Sequence, residues 1–291
     1  MSGRAGHRPE DERSMIGTLI YGLTIGGILY IISIGLSLTF GSMRIVNFAH
    51  GMIYTTGAYI LITALPLIRN NFFLGLLIAI LVVIPISFII EKFIVRRLYG
   101  ESIDYAIIAT YAVLLIGVDL VKWIWGTSPI PLSDPVGKSV TFLSIEVPIY
   151  RLIIIAVSLA ICVGLWLFFK KTIVGKIVIA GLQDREAVRS LGISVDKYFS
   201  IVFVLGSCLA ALGGVLYAPI TTVHPYMGFH ILLISFAVVI VGGLGSLKGT
   251  TISAFVLGMV MAITGRFWGP AAEAMVFAVM AVVLIFKPIE V

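Results

Sequence analysis

Residues 14–43, SMIGTLIYGLTIGGILYIISIGLSLTFGSM, contain no Asp, Glu, Lys or Arg. An α-helix needs about 20 consecutive apolar residues to cross the ~30 Å hydrocarbon core of a bilayer, so this stretch is long enough for one crossing. A second stretch without these charged residues, at 198–247, has room for two more. These two segments predict a protein that is built from membrane-spanning helices.

The composition of the whole chain supports the same interpretation. Of the 291 residues, 60% are hydrophobic and 12% are charged, and the mean hydropathy is +1.14. Soluble domains are about half apolar and a quarter charged. Because lipid offers the backbone no hydrogen-bond partners, helices satisfy these groups internally, and the solid apolar runs lack the alternation of transmembrane β-strands. We therefore predict an all-α, polytopic helix bundle in the membrane.

Charged residues and helix breakers divide the chain into nine apolar segments. They lie at about 15–40, 46–68, 72–90, 102–121, 150–169, 198–220, 231–247, 250–265 and 267–286. The seventh and eighth segments are short and joined by a glycine-rich stretch at 242–249, so 231–265 is either two tilted spans or a re-entrant helix pair. We predict about eight or nine spans in a single transmembrane domain at 15–291, after a polar tail at 1–14.

The distribution of Lys and Arg predicts the orientation, because cytoplasmic loops carry an excess of both. If the longest basic loop, at about 170–197, is cytoplasmic and the spans alternate, 12 of the 20 Lys and Arg residues lie on the cytoplasmic side. Three of the others, Arg4, Arg8 and Arg13, are in the tail and leave the side of that tail open. Basic residues in short loops indicate topology, and we expect no nucleic-acid binding.

The chain lacks the residue patterns of a metal, nucleotide or catalytic site. His224 and His230 lie in one predicted outer turn, but two side chains are too few for a zinc site. The glycine-rich stretch has no Gly-Lys-Ser/Thr ending of a Walker phosphate loop, and neither Ser207 nor Ser246 lies in a Gly-x-Ser-x-Gly elbow. We therefore predict no catalytic residue, no metal and no bound cofactor.

Polar residues inside a span need a reason to be there, because placing them in lipid is costly. Asn47, His50 and Tyr54 are spaced at i, i+3 and i+7, so a continuous helix would present them on one face. They are candidate residues of a translocation path. The alternative is that Asn47 and His50 hydrogen-bond one helix to another.

The predicted cytoplasmic loop holds a second candidate segment, GLQDREAVRSLGIS at 181–194. Asp184 is placed to cap the start of a short helix and Gly192 to end it. A short amphipathic helix between two spans is suited to docking into a groove on another protein. A solvated loop or a helix on the lipid surface is the alternative.

Residues 186–192, EAVRSLG, resemble the coupling-loop signature of ABC-importer permeases, which is Glu-Ala-Ala, three residues and Gly. Val188 stands at the second alanine, and VFVL at 202–205 departs from the Ile-x-Leu-Pro of many such permeases. Four other stretches are similar to the LivH/LivM permeases, the membrane subunits of branched-chain amino acid ABC importers: RIVNFAHG at 44–51, GAY at 57–59, GGVLYAP at 213–219 and GGLGS at 242–246. The first stretch is similar to the LivH type, and the resemblance covers about 15–288.

The resemblance implies a multi-pass subunit of the cell membrane that serves an ATP-driven, binding-protein-dependent importer of branched-chain or related amino acids. The implied partners are two cytoplasmic ABC ATPase subunits, a second LivM-like permease subunit, an extracytoplasmic solute-binding protein and membrane lipid. ATP would be used by the partner subunits, and translocation would proceed by alternating access. The implied ATPase-coupling residues are those of the loop: Asp184, Arg185, Glu186, Ala187, Arg189 and Gly192.

A secondary transporter or channel for a small polar solute, such as urea or a short amide, is the alternative function. The polar run at 47–56 would line its path. A proton relay has no central acid, because Asp104 and Asp119 are predicted near the ends of the fourth segment, where Asp119 can pair with Lys122. The missing acid and the coupling-type loop both disfavour this alternative.

Overall fold

The computed structural model of the chain describes residues 8–142 and 145–286, and these residues form eleven α-helices and one β-hairpin. The helices are α1 (Arg8–Met43), α2 (Ala49–Ala64), α3 (Phe72–Phe93), α4 (Ile103–Trp125), α5 (Ile149–Lys171), α6 (Ile173–Gln183), α7 (Arg185–Ser190), α8 (Val195–Tyr217), α9 (Met227–Gly242), α10 (Leu247–Phe267) and α11 (Ala271–Phe286). The strands are β1 (Ser139–Phe142) and β2 (Ile145–Pro148), which pair antiparallel. Short 3-10 helices follow α2 and α3, at Leu65–Ile68 and Val95–Leu98. The predicted all-α membrane bundle is confirmed.

Each of the nine predicted apolar segments is a helix in the structure. Seven helical stretches in the described residues are long and apolar enough to cross a membrane: Met15–Met43, Ala49–Ile68, Phe72–Leu98, Ile103–Trp125, Ile149–Lys171, Val195–Tyr217 and Leu247–Phe267. The helices α9 and α11 are apolar but have 16 residues each, about 24 Å of rise. Of the pair that the sequence places at 231–265, α10 is therefore long enough for a full crossing and α9 is short for one.

The helix α1 begins earlier than the hydropathy predicts. It starts at Arg8, inside the segment that the sequence predicts as a polar tail, and Pro9 lies in its first turn. Proline is well tolerated there because the first N–H groups of a helix have no partner within it. The helix therefore extends over the polar residues before the first span.

The centre of the bundle is formed by α1 and α8, which cross at small residues. A β-carbon on Gly35 of α1 would lie only 2.6 Å from the carbonyl oxygen of Gly206 in α8 and 2.8 Å from the His50 ring. Without a hydrophobic driving force in lipid, such small residues let helices approach closely enough to pack. The glycines at this crossing therefore bring α1, α2 and α8 together at one point.

The chain between α1 and α2 is not helical, although it lies inside the bundle. Arg44 ends α1 in the left-handed region, with φ 55°, and α2 begins only at Ala49. The Thr110 hydroxyl of α4 lies 3.0 Å from the carbonyl oxygen of Val46 and accepts a hydrogen bond from the N–H of Phe48 at 3.1 Å. Thr110 thus supplies partners to backbone groups that have none within a helix. We call residues 44–48 the unwound segment.

The loop between α4 and α5 is non-helical throughout its described residues, and prolines at 129, 131 and 135 disfavour a helix there. The carboxylate of Asp134 accepts hydrogen bonds from the N–H groups of Val136 and Gly137 at 2.8 and 3.0 Å, and the β-hairpin follows. Ile130 forms a β-bridge with Val223, which ties this loop to the segment between α8 and α9. Backbone pairing therefore holds this loop against the segment between α8 and α9.

Candidate translocation site and coupling surface

The three candidate path residues lie where the unwound segment enters α2. His50 and Tyr54 are on one face of α2, and both are almost fully buried. Asn47 precedes the helix by two residues, so the prediction that one helix carries all three is wrong for Asn47. The N–H of His50 donates to the carbonyl oxygen of Asn47 at 3.4 Å, and this turn keeps Asn47 next to His50.

The hydrogen bonds of Asn47 and His50 are incomplete. The ring Nε2 of His50 lies 2.9 Å from the carbonyl oxygen of Ile32 in α1, but its Nδ1 has no partner within the described residues. Neither atom of the Asn47 amide has a partner there, although the side chain is fully buried. A buried polar group left unpaired costs about 1–3 kcal/mol. The contact from His50 to α1 agrees with a role of His50 in helix packing. Asn47 makes no side-chain hydrogen bond within the described residues that would give it the same role.

The predicted coupling loop contains the short helix that its sequence indicates. The carboxylate of Asp184 caps α7 by accepting from the N–H of Ala187 at 2.8 Å, and Gly192, with φ 77°, follows it in the left-handed region. Glu186, Ala187 and Arg189 are exposed on its surface. The sixth predicted coupling residue, Arg185, begins the helix, and its side chain lies outside the described part.

The helix α7 is anchored to the bundle by one buried side chain. Val188 packs against Val195 and Phe199 at the start of α8. Arg189 forms an ion pair with Asp196 of α8 at 3.0 Å. Both contacts reach the first turns of α8, so α7 is packed directly against the helix at the centre of the bundle.

A charged cluster that the sequence analysis missed lies beside this anchor. Glu91 of α3 is fully buried and accepts two hydrogen bonds from the Arg96 guanidinium, at 3.1 and 2.9 Å. It also accepts from the hydroxyls of Tyr99 and Ser200, at 3.0 and 2.7 Å. A glutamate at the end of an apolar run, five residues before an arginine, is the signal that could have revealed it. Because Ser200 belongs to α8, the cluster joins α3 to the helix that holds α7.

Tyr99 connects this cluster with the packing beneath α7. Burial, and then the negative charge of Glu91, raise the pKa of the Tyr99 hydroxyl far above its usual range, so it remains a hydrogen-bond donor. Its ring packs edge-on against Phe199 at 6.2 Å between centroids. We call Glu91, Arg96, Tyr99 and Ser200 the Glu91 cluster. Through the Tyr99 ring, this cluster borders the apolar contact that holds α7 against α8.

The remaining polar candidates lie near the helix ends. Asp119 and Lys122 form the expected pair at 2.6 Å, and Asp104 is exposed in the first turn of α4. His230 pairs with Glu273 of α11 at 2.9 Å. Across the described residues, no group of three or more His, Cys, Asp or Glu side chains is arranged to hold a metal ion.

Comparison with known proteins assigns the family. The model of the branched-chain amino acid transport system permease component matches residues 18–287. The chain is 26% identical over 283 residues to the high-affinity branched-chain amino acid transport system permease protein LivH of Escherichia coli K12, covering 92% of each. It is 27% identical over 288 residues to BraD of Pseudomonas aeruginosa, covering 93% of each. A probable LivH of Methanocaldococcus jannaschii is 26% identical over 254 residues, which are 84% of this chain and 78% of that relative.

The range of residues that the family model matches agrees with the extent of the helical bundle. The family model covers all the helices from α2 to α11 and most of α1. With seven apolar helical stretches long enough to span a bilayer, the chain is a multi-pass membrane protein. It belongs to the family of branched-chain amino acid transport system permease components.

Proposed function

We propose that this chain is the LivH-type permease subunit of an ATP-driven, binding-protein-dependent ABC importer for branched-chain or related amino acids. The observation that carries the proposal is α7, a capped helix whose Glu186, Ala187 and Arg189 are exposed beside the central helix α8. The names of the curated relatives support the choice of substrate class.

The proposed assembly contains four kinds of subunit. Two cytoplasmic ABC ATPase subunits bind α7, and a second, LivM-like permease subunit completes the membrane part. An extracytoplasmic solute-binding protein delivers the amino acid. This chain holds no ATPase site or cofactor of its own in the proposal, and ATP is used by the partner subunits.

Coupling requires that the ATPase bind one conformation of the permease more tightly than the other, because a partner that binds both equally shifts nothing. The contacts of Val188 and Arg189 pass a movement of α7 to the start of α8. The Glu91 cluster then transmits this movement from α8 to α3 through the hydrogen bonds of Ser200. In this scheme α7, α8 and the end of α3 move as one body.

The proposed translocation path runs past Asn47, His50 and Tyr54. In this structure the three side chains are 0%, 0% and 1% exposed, so the path is closed here. The support for the path is the Asn47 amide, which lies unpaired at a break between two helices. A conformational change that separates α1 from α2 would expose this amide to substrate.

The test of coupling is the charge reversal Glu186→Lys, with Glu101→Lys as the matched control. Both glutamates are exposed and lie on the predicted cytoplasmic side, but only Glu186 belongs to α7. We expect Glu186→Lys to lower leucine uptake and ATPase co-purification by about tenfold or more, because placing like charges against each other in a protein interface costs several kcal/mol. The control is expected to retain both.

Membrane insertion of each variant is measured by its amount in detergent extracts. Full uptake by an inserted Glu186→Lys variant would refute the coupling role of α7. Recovery of the wild-type chain without any ATPase, under conditions that preserve another ABC complex, would instead favour the secondary transporter or channel.

A further inference from the structure

A cavity of about 50 Å³ lies between α1, α2 and α8 on one side and α9, α10 and α11 on the other. Its polar lining comes from Tyr54, Tyr217, His230 and Glu273. The rest of its lining is isoleucine, leucine and methionine, including Ile28 and Ile231. We call it the Tyr54–Glu273 cavity, after the residues at its inner and outer ends.

The polar groups of this cavity form two layers. At the predicted outer end, Nε2 of His230 lies 2.9 Å from a carboxylate oxygen of Glu273, and both side chains are about half exposed. At the inner end are the tyrosines, of which Tyr54 is 1% exposed. Within the described part of the chain, neither tyrosine hydroxyl has a hydrogen-bond partner. An acid, a base and two free hydroxyls therefore line one small space.

This chemistry matches an amino acid with an aliphatic side chain. A carboxylate such as that of Glu273 binds an ammonium group, and tyrosine hydroxyls or a protonated histidine donate to a carboxylate. The isoleucine, leucine and methionine walls fit a branched apolar side chain, as ligand sites combine apolar walls with a few placed polar groups. A simple cation or anion would use only half of the polar groups and none of the walls.

We propose that the Tyr54–Glu273 cavity is the site at which this permease holds the α-amino and α-carboxylate groups of an aliphatic amino acid during transfer. The inference rests on the proposed import function and specifies where in the chain the substrate class is recognised. Glu273 holds the ammonium group, Tyr54 and Tyr217 donate to the carboxylate, and Tyr54 is the last contact before His50 and Asn47. His230 keeps Glu273 paired while the site is empty.

The cavity must widen before it holds a substrate. Its volume is enough for about one or two water molecules at ~30 Å³ each, so the structure shows a contracted state. The helix α11, which carries Glu273, packs against α9 and α10 and buries only Val276 among its described residues. Moving α11 outward would break the His230–Glu273 pair and enlarge the cavity in one step, with little packing lost.

A larger groove borders the cavity on the same side. A groove of about 480 Å³ between α1 and the α10–α11 turn shares Ile25 and Met261 with the cavity. Gly17, Gly265 and Gly269 line the groove, so its walls are close to bare backbone. The groove is large enough for an amino acid, and the cavity lies directly behind it.

The experiment measures L-leucine imported per ATP hydrolysed by the assembled importer in proteoliposomes, with saturating binding protein. The test variants are Tyr54→Phe and Glu273→Gln. Each has a matched control: Tyr59→Phe removes another buried hydroxyl from α2, and Asp119→Asn neutralises another acid paired at the predicted outer side. Neither control residue lines the cavity.

We expect each test variant to lower the leucine-to-ATP ratio about tenfold, because a hydrogen bond to a charged group is lost while the ATPase contact on α7 is intact. The controls are expected to keep the wild-type ratio. A purely structural effect would lower ATP hydrolysis and import together, so the ratio separates the two explanations. Tyr217→Phe serves as a second hydroxyl variant if Tyr54→Phe does not insert.

Two results would overturn the inference in distinguishable ways. If the wild type imports leucine and the test variants keep the wild-type ratio, the cavity is not the substrate site and the proposed function stands. If the wild-type complex imports no aliphatic amino acid, the proposed substrate class fails and the assignment of the cavity fails with it.

Discussion

Two polar clusters are buried in this bundle, and they differ in whether their hydrogen bonds are complete. In the Glu91 cluster, the carboxylate accepts four hydrogen bonds, from Arg96, Tyr99 and Ser200. At the start of α2, the Asn47 amide has no partner among the described residues, and His50 has a partner for one ring nitrogen only. Glu91, Asn47 and His50 are all fully buried, so their own solvent access does not explain the difference.

The difference indicates two roles for buried polarity. A satisfied cluster holds a fixed geometry, because every change in it exposes an unpaired charge. An unsatisfied amide costs free energy in the state observed, and that cost is recovered in a state in which the amide has a partner. The Glu91 cluster therefore has the properties of a rigid support for α7. The Asn47 amide has the properties of a group that binds substrate in another conformation.

The largest effect on stability is expected from Glu91→Ala. This change leaves the Arg96 guanidinium and two hydroxyls without their shared acceptor, and breaking a buried pair costs about 3–5 kcal/mol. The Arg96 side chain is 40% exposed, so we expect about 3 kcal/mol, at the lower end. The free energy of unfolding of the purified complex, from denaturant titration, measures it.

Glu101→Ala is the control for this change, because Glu101 is an exposed glutamate near the same end of the bundle. We expect it to alter the stability by less than about 0.5 kcal/mol. Equal stability losses in the two variants would show that the Glu91 cluster is not the rigid element that the comparison requires.

A smaller loss is expected from Thr110→Val, which tests the unwound segment next to the unsatisfied cluster. Valine keeps the shape but leaves the N–H of Phe48 and the carbonyl oxygen of Val46 without the threonine hydroxyl. We expect a loss of about 2 kcal/mol, since each buried unpaired group costs about 1–3 kcal/mol and the backbone can relax. Denaturant titration of the purified complex reports this value.

The matched control for the unwound segment is Thr56→Val, whose hydroxyl bonds only within α2, to Met52. A loss below about 0.5 kcal/mol is expected for it. If Thr110→Val were as stable as the control, the unwound segment would not depend on α4.

The smallest change in stability is expected from Asn47→Leu, and this variant separates the two roles most sharply. Leucine has the branching of asparagine and removes an amide that has no partner within the described residues. Replacing an unpaired polar group by an apolar one of the same shape is nearly neutral or stabilising, so we expect a change of about 0–1 kcal/mol. Leucine import is expected to fall about tenfold or more.

Ser235→Ala is the control, because its hydroxyl is also buried without a described partner, but Ser235 is neither a proposed path residue nor a residue that lines the cavity. It is expected to keep both stability and import. A loss of about 2 kcal/mol with unchanged import in Asn47→Leu would make Asn47 a packing residue and remove the contrast with Glu91.

The positions of the spans could be predicted because each depends on a local run of apolar residues. The cap of α7 could be predicted for the same reason, since Asp184 and Ala187 are three residues apart. The start of α2 could not be predicted. Its hydropathy continues back through Val46, and the helix is interrupted there by Arg44 in the left-handed region and by Thr110 from α4.

The sequence by itself determined the membrane class, the nine apolar segments, the capped helix α7 and the family, because hydropathy, capping and motifs are read from neighbouring residues. Only the tertiary structure decided that Glu91 contacts Ser200, that the Asn47 amide is buried without a described partner, and that Glu273 lines the same cavity as Tyr54. These contacts join residues that are far apart along the chain. Their distances depend on how the helices cross, which hydropathy does not specify.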